Sequence, residues 1–313
     1  MNIFYDINRV NKEKGTVLTI GTFDGFHRGH QQIIEQLVQE ARRTHGRSFL
    51  ITFEPHPRSV LSKDFDLKLL TTIEEKLELI EAAGVDNVLI INFTPEFSKL
   101  SSDEFIEKLI VEKIGLKELV IGYDHRLGRN RGGDENSLRE LGKLLNFNVK
   151  PVYAVKIGDD AVSSTKIRHA LAEGDLQKAN LYLGRNYSFS GNVVQGAMRG
   201  RTLGFPTINV ALGDNKKVIP AHGVYLTALK IGNDQTKHYG MMNIGMRPTF
   251  GDTVELVIEV YIFNFSRDVY GEKVEIEVIK RLRDERKFQS KEALITQMEN
   301  DKKEAIEIIK QLK

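Results

Sequence analysis

Two histidines three positions apart, His27 and His30, stand inside a glycine-rich stretch, GTFDGFHRGHQQII (21–34). Gly21 and Gly25 let the backbone turn tightly and approach a ligand, and Gly29 removes the side chain between the two histidines. The stretch follows an apolar, β-branched run, TVLTI (16–20). From Gln31 onward Ile33, Ile34, Leu37, Val38 and Ala41 recur at helical spacing. His30 therefore falls at the mouth of a helix, where free N–H groups and the helix dipole favour anions, and His27 can point into the same space. Two imidazoles placed so suit the charge that develops on an α-phosphate under attack. A second candidate is SSTKIRHAL (163–171), where Ser163, Ser164 and Thr165 can cap a helix carrying Lys166 and Arg168 on its first turn; taken alone it reads equally as a well-capped helix.

The C-terminal half contains no G-x-x-x-x-G-K-[ST] segment, which excludes a Walker-type kinase. It does contain GNVVQGAMRGRTLGFPTINV (191–210), whose glycine-rich turns and Arg199/Arg201 can cradle phosphates with backbone amides. Thr207 and Asn209 sit two apart in a strand-like run and so share a face. A hydroxyl and an amide oxygen are hard ligands that suit Mg²⁺ bridging nucleotide phosphates. The same pair also serves as an ordinary turn or cross-strand hydrogen-bonding pair.

These groups need elements to hold them. RSFLITF (47–53), NVLIINF (87–93), ELVIGY (118–123) and VKPVYAV (149–155) join TVLTI as strands. Between them lie helical stretches such as EEKLELIEAAG and DEFIEKLIVEKIG, each closed by a glycine. Strand–helix alternation predicts an α/β domain with a parallel sheet covered on both faces, whose ligands sit beyond the carboxyl ends of the strands. After about residue 185 the pattern changes to strands separated by Gly, Asn and Asp: YSFSGNVV, TINVAL, GVYLTALKI, KHYGMMNI, ELVIEVYIFNF and KVEIEVIKRL. One long helix follows, beginning near Ser290. This predicts a small antiparallel β-barrel with a C-terminal helix. The expected domains are 1–183 and 184–313, with the boundary near LGRNYS.

Composition narrows the class. The 313 residues suffice for two cores, and 41% hydrophobic with 28% charged residues is an ordinary globular balance. There is no apolar run of membrane-spanning length, and the start MNIFYDINRVNKEKG has no apolar core of a signal peptide. The absence of cysteine excludes disulfides and thiolate metal sites and fits a cytoplasmic protein. A net charge of +2 gives no bulk support to nucleic-acid binding. No nucleic-acid or membrane partner is expected, and no pattern sets an oligomeric state.

The form GTFDGFHRGH resembles the HxGH nucleotidyltransferases, which join a nucleoside monophosphate to an acceptor phosphate and release pyrophosphate. With FEPHPR (53–58) and GYDHRLGRNRGG (122–133) it resembles, more closely, the FMN adenylyltransferase module of bacterial riboflavin kinase/FAD synthetases. That resemblance implies ATP contacts at Gly21, Thr22, Phe23, Asp24, Gly25, Gly29, Ser163, Ser164, Thr165 and Arg168, with His27 and His30 catalytic. It implies FMN contacts at Pro57, Asp124, His125 and Arg131. His125 and Leu127 occupy places that are usually aromatic in that module.

The second half resembles riboflavin kinase through FPTINV, with Ile208 in place of the usual alanine. HGVY (222–225), NIGMRPTFG (243–251), DVYG (268–271) and RLRDERKF (281–288) then follow in family order. This implies ATP contacts at Gly196, Arg199, Gly200, Thr202, Gly204 and Pro206, flavin contacts at Tyr225, Asn243, Arg283 and Phe288, and Mg²⁺ held by Thr207 and Asn209. The family's general base maps onto Glu259, with Tyr261 at its usual histidine place. The local sequence alone does not choose Glu259 over Glu255, Glu272, Glu275 or Glu277. Together the two resemblances imply a bifunctional enzyme using ATP, riboflavin and FMN. A sibling transferase with another acceptor would explain only the first half, and a flavin-binding sensor would not need the phosphoryl-transfer groups.

Overall fold

The computed structural model describes residues 1–62, 66–129, 132–196, 203–248 and 254–312. Contacts divide the chain into two units, Met1–Ser164 and Thr165–Lys313.

In the first unit six strands form an all-parallel sheet: β1 (Asn2–Phe4), β2 (Thr16–Ile20), β3 (Ser48–Glu54), β4 (Asn87–Asn92), β5 (Leu116–Gly122) and β6 (Asn148–Val152). Alternate residues serve opposite faces, so both must be apolar. Val17, Leu50, Val88 and Val120 pack with Leu37 of α1 (Arg28–Arg43) and Ile80 of α3 (Ile73–Ala82). Leu18, Phe49, Leu89 and Leu119 pack with Phe105, Ile110 and Leu138 on the other face. The expected strands are present, and β1 is an added edge strand three residues long. The stretch DEFIEKLIVEKIG is a single α-turn, α4 (Ser102–Glu104), running into a π-helix over Phe105–Ile114. Two further helices, α2 (Pro57–Leu61) and α5 (Glu135–Leu145), and a hairpin of β7 (Lys156–Ile157) with β8 (Asp160–Ala161) complete the unit.

The sheet order is β1-β4-β3-β2-β5-β6. From β2 the chain moves outward through β3 to β4, then returns to the other flank of β2 as β5. The order thus reverses between β2 and β5, and sheets of this kind take ligands at that crevice, beyond the carboxyl ends. The segments leaving there are GTFDGFHRGH and GYDHRLGRNRGG.

The second unit is a closed antiparallel barrel in the order β10-β13-β12-β11-β14-β9. Its strands are β9 (Tyr187–Val194), β10 (Thr207–Leu212), β11 (Gly223–Ile231), β12 (Asp234–Pro248), β13 (Val254–Ile262) and β14 (Lys273–Arg283). Ser290 caps the long helix α8 (Lys291–Gln311), its hydroxyl accepting from the Ala293 N–H at 3.1 Å. Ile295, Met298, Ala305 and Ile309 of α8 pack with Phe205, Leu226 and Met241. Two shorter helices, α6 (Ser164–Glu173) and α7 (Leu176–Leu183), are tied to the barrel. The Leu171 carbonyl accepts from Ala221, and Asn180 bonds both the Tyr187 N–H and the Val278 carbonyl. These bonds agree with a division at the first residue of α6, whereas the composition shift in the sequence falls after α7.

Candidate active sites

The turn after β2 adopts left-handed backbone at three positions: Phe23 (φ 48°), Gly25 (φ 80°) and Phe26 (φ 39°). Two non-glycine residues in that region store strain that the surroundings must offset. Asp24 supplies much of the restraint, accepting from the Leu70 and Thr71 N–H groups at 2.9 and 3.1 Å. The Thr71 hydroxyl accepts in turn from the Gly25 N–H at 3.0 Å. The turn is thereby fastened to the residues that lead into α3. A methyl group on Gly25 would lie 2.7 Å from Leu70 Cδ1, at a φ that side chains rarely adopt. Gly25→Ala is expected to destabilise the first unit by about 1–3 kcal/mol in denaturant titrations and to leave the barrel's stability unchanged.

The fastened turn delivers both histidines. His27 is the N-cap of α1, its Nδ1 accepting from the His30 N–H at 3.4 Å. The two imidazoles stack with centroids 3.6 Å apart and an interplanar angle of 16°. The Phe23 ring meets His30 edge-on at 5.2 Å, and Gly29 lies against the His27 ring. The Nδ1 of His30 is buried without a hydrogen-bond partner among the described residues. Burial first, then the charges of His27 and Lys76, push the His30 pKa well below its usual value. The ring is therefore neutral at physiological pH and leaves a polar atom unmet beside a helix N-terminus, where free N–H groups favour anions. Gly21 and Thr22 carry the backbone from β2 into this turn, and the Thr22 carbonyl accepts from the Thr52 hydroxyl at 3.3 Å. The Ser164 hydroxyl donates to the Asp24 carbonyl at 2.9 Å, which brings the start of SSTKIR to the same turn. Ser163 precedes it in the chain, and Thr165 and Arg168 follow on the first turn of α6.

Of the expected acceptor-side residues, Pro57 is the first residue of α2, capped by His56, whose Nδ1 accepts from the Arg58 N–H at 3.1 Å. Asp124 and His125 sit in the turn after β5, where the His125 N–H donates to the Gly122 carbonyl at 3.0 Å. Leu127, one of the two departures expected in this loop, is only 8% exposed and packs in the sheet's core. Arg131 lies outside the described residues.

On the barrel, strand register assembles residues that are far apart in sequence. Asn209 of β10 lies opposite Glu259 of β13, and Glu259 lies opposite Asn243 of β12. Directly paired residues share a face, so amide, carboxylate and amide form one row across three strands. The neighbouring row pairs Thr207 with Tyr261. Gly196 packs so close to Asn209 that a methyl group on it would overlap the carboxamide. Gly196→Ala should swing Asn209 out of the row and, if the resemblance to riboflavin kinase holds, slow riboflavin phosphorylation by about 10²-fold, with FAD formation from FMN as the internal control. Gly204 is in left-handed backbone (φ 81°), followed by buried Phe205 and exposed Pro206. The Phe205 ring meets Tyr261 edge-on at 5.0 Å, and Lys302 of α8 reaches the Tyr261 hydroxyl at 3.5 Å. Arg199, Gly200 and Thr202 lie outside the described residues.

Tyr225 is 0% exposed in the barrel, its hydroxyl donating to the Ala221 carbonyl. Arg283 and Phe288 come together, with the guanidinium 5.6 Å from the ring centroid. Arg283 also pairs with the buried Asp301 of α8 at 2.9 Å, so one face of α8 and the RLRDERKF segment are held as a unit. No group of three His, Asp or Glu side chains placed to hold a metal occurs among the described residues. Thr207 and Asn209, the metal ligands that the resemblance implies, carry a hydroxyl and an amide oxygen.

Sequence patterns missed Thr71 and Lys76. The stretch EEKLELIEAAG reads simply as a helix, but Lys76 falls on the apolar stripe of α3 with Ile73, Leu77 and Ile80, and that misfit was the available signal.

Comparison with known proteins gives two family matches: FAD synthetase over residues 9–166 and riboflavin kinase over 183–309. A relative from Listeria monocytogenes, named bifunctional riboflavin kinase/FMN adenylyltransferase, is 38% identical over 302 residues, covering 96% of this chain and 92% of its own. Relatives of the same name from Escherichia coli and Bacillus subtilis are each 36% identical, covering 92% and 95% of this chain and 91% and 94% of their own. A crystal structure from Streptococcus pneumoniae, described as a macrolide-efflux protein, superposes with a TM-score of 0.87 at 29% identity, covering 96% of this chain and 97% of that one. Among the described residues of this chain no helix is long and apolar enough to cross a membrane.

Proposed function

Because the chain belongs to the family of bifunctional riboflavin kinase/FMN adenylyltransferases, we propose that its two units divide that chemistry. The parallel-sheet unit adenylylates FMN with ATP to give FAD and pyrophosphate. The barrel phosphorylates riboflavin with ATP to give FMN and ADP. For the adenylyl transfer the functional domain is taken as residues 1–183, the bounds that the composition shift marks, with the start of SSTKIR serving the outer phosphates of ATP.

In the first reaction the FMN phosphate attacks the α-phosphate in line and pyrophosphate leaves. A phosphate is already an anionic nucleophile, so positioning and charge stabilisation carry the rate. His27 and His30 donate hydrogen bonds to the charged oxygens, and the turn from Gly21 to Gly25, with Gly29, admits the polyphosphate to the helix mouth. Pro57, Asp124, His125 and Arg131 take the flavin side. In the second reaction Glu259 accepts the proton of the ribityl 5′-hydroxyl as its oxygen attacks the γ-phosphate. Asn209 and Asn243 flank Glu259 on the neighbouring strands. Gly196, Arg199, Gly200, Thr202, Gly204 and Pro206 bound the ATP, and Tyr225, Asn243, Arg283 and Phe288 shape the flavin side. Thr207 and Asn209 fit a Mg²⁺ ion, which when bound neutralises polyphosphate charge. A cytoplasmic setting fits the use of ATP at both steps.

The observation that most supports this reading is the row Asn209–Glu259–Asn243, which puts a carboxylate beside the proposed metal ligands. The test is a chromatographic time course with riboflavin, ATP and Mg²⁺. FMN should rise first, then FAD, with one pyrophosphate released per FAD and neither product formed in excess EDTA. Bound flavin without turnover would contradict the reading, and FMN alone would locate the fault at the loop of His125 and Leu127.

A further inference from the structure

One charge in the first unit plays no part in the chemistry above. Lys76 is 4% exposed, on the apolar stripe of α3. Lysine is almost never buried so fully unless paired, and a hydrophobic residue of similar volume at such a position is often neutral or stabilising. Its ammonium donates to the Thr52 hydroxyl at 3.5 Å, and that hydroxyl donates to the Thr22 carbonyl at 3.3 Å. The lysine is thus linked through β3 to the turn that carries the histidines. The segment leading into its helix is fastened to the same turn by Asp24 and Thr71. Its field reaches the Asp24 carboxylate of the turn, the Glu54 carboxylate at the end of β3, and His30 of α1, on which His27 stacks.

Resting on the reading of this unit as the adenylyl-transfer site, we propose that Lys76 is a positioning residue of that reaction. It braces the nucleotide turn through Thr52 and supplies fixed positive charge behind the histidine pair for the polyphosphate of ATP. In a water-poor setting such a charge acts more strongly than a surface lysine and needs no reorganisation when ATP enters. In the free protein Asp24 and Glu54 balance it; bound ATP adds the negative charge that it faces.

The test compares Lys76→Met and Lys76→Arg in the full-length chain, with FAD formation from FMN and ATP measured against ATP concentration and pH. Riboflavin phosphorylation by the same preparations serves as the control for the rest of the chain. Methionine keeps the stripe filled, so Lys76→Met should melt no lower than the parent, yet its kcat for FAD formation should fall about 10²-fold. Burial draws the Lys76 pKa below the ordinary lysine value, against the opposing pull of Asp24 and Glu54. The parent should therefore lose FAD formation on the alkaline side as the ammonium deprotonates. Lys76→Arg should recover part of the rate and lose that alkaline break, because a guanidinium stays charged. Parental kcat and pH profile in Lys76→Met would overturn the proposal, whatever the melting temperature. If Lys76→Met does not fold, an alkaline break that persists unchanged in Lys76→Arg overturns it equally. His30→Ala, run alongside, separates the two levels: if it retained full FAD formation, the reading of the whole site would fall, and not only the role of the lysine.

Discussion

His30→Ala is expected to lower FAD formation from FMN and ATP by about 10²–10³-fold, while riboflavin phosphorylation by the same protein continues at the parental rate. His30 is held by the His27 stack, the Phe23 edge and the fastened turn, so its imidazole is already oriented when ATP arrives. Preorganised donors of this kind act in the transition state without a reorganisation cost. His30→Asn, which keeps a donor in a smaller side chain, should recover part of the loss. The two assays are separable because riboflavin with ATP reports on the barrel and FMN with ATP reports on the first unit. If His30→Ala lost both activities while still folded, the division of the chemistry between two sites would be wrong.

Glu259→Ala is expected to do the reverse. Riboflavin phosphorylation should fall by about 10²–10⁴-fold, the range for loss of a general base, and FAD formation from added FMN should be unchanged. Glu259→Gln sharpens the point. The amide preserves the row with Asn209 and Asn243 and so preserves local packing, but it cannot take a proton at neutral pH. An equal loss in Glu259→Gln would assign the effect to proton transfer. Parental activity in Glu259→Gln would reduce Glu259 to a spacer in the row.

The parts of both sites that were legible in the sequence are those set by local geometry. His27 and His30 are three residues apart at a helix start, after a turn with glycines at 21, 25 and 29, so their proximity is readable from local spacing. Thr207 and Asn209 share a face because strands alternate. Glu259 could not be chosen from its neighbours by pattern, because its role depends on which strands flank β13 and in what register. Only the barrel order places Asn209 and Asn243 on either side of it. The anchoring of Asp24 by Leu70 and Thr71 was hidden for a similar reason, since the two segments lie 46 and 47 residues apart. β1 was missed because three residues carry no readable period. Leu127 shows the opposite limit: its side chain fills the sheet's core, a use that the loop's arginines and glycines concealed.

The central claim is that two separate sites, one per unit, work in sequence through FMN. It is tested most directly by mixing equal amounts of His30→Ala and Glu259→Ala with riboflavin, ATP and Mg²⁺ and following the flavins by chromatography. Each variant alone should yield little FAD from riboflavin in the time the parent completes both steps: His30→Ala should accumulate FMN, and Glu259→Ala should leave most riboflavin unconverted. Together they should produce FMN and then FAD, as the product of one protein becomes the substrate of the other. A mixture of folded variants that accumulates FMN but never FAD, or leaves riboflavin untouched, would contradict the account.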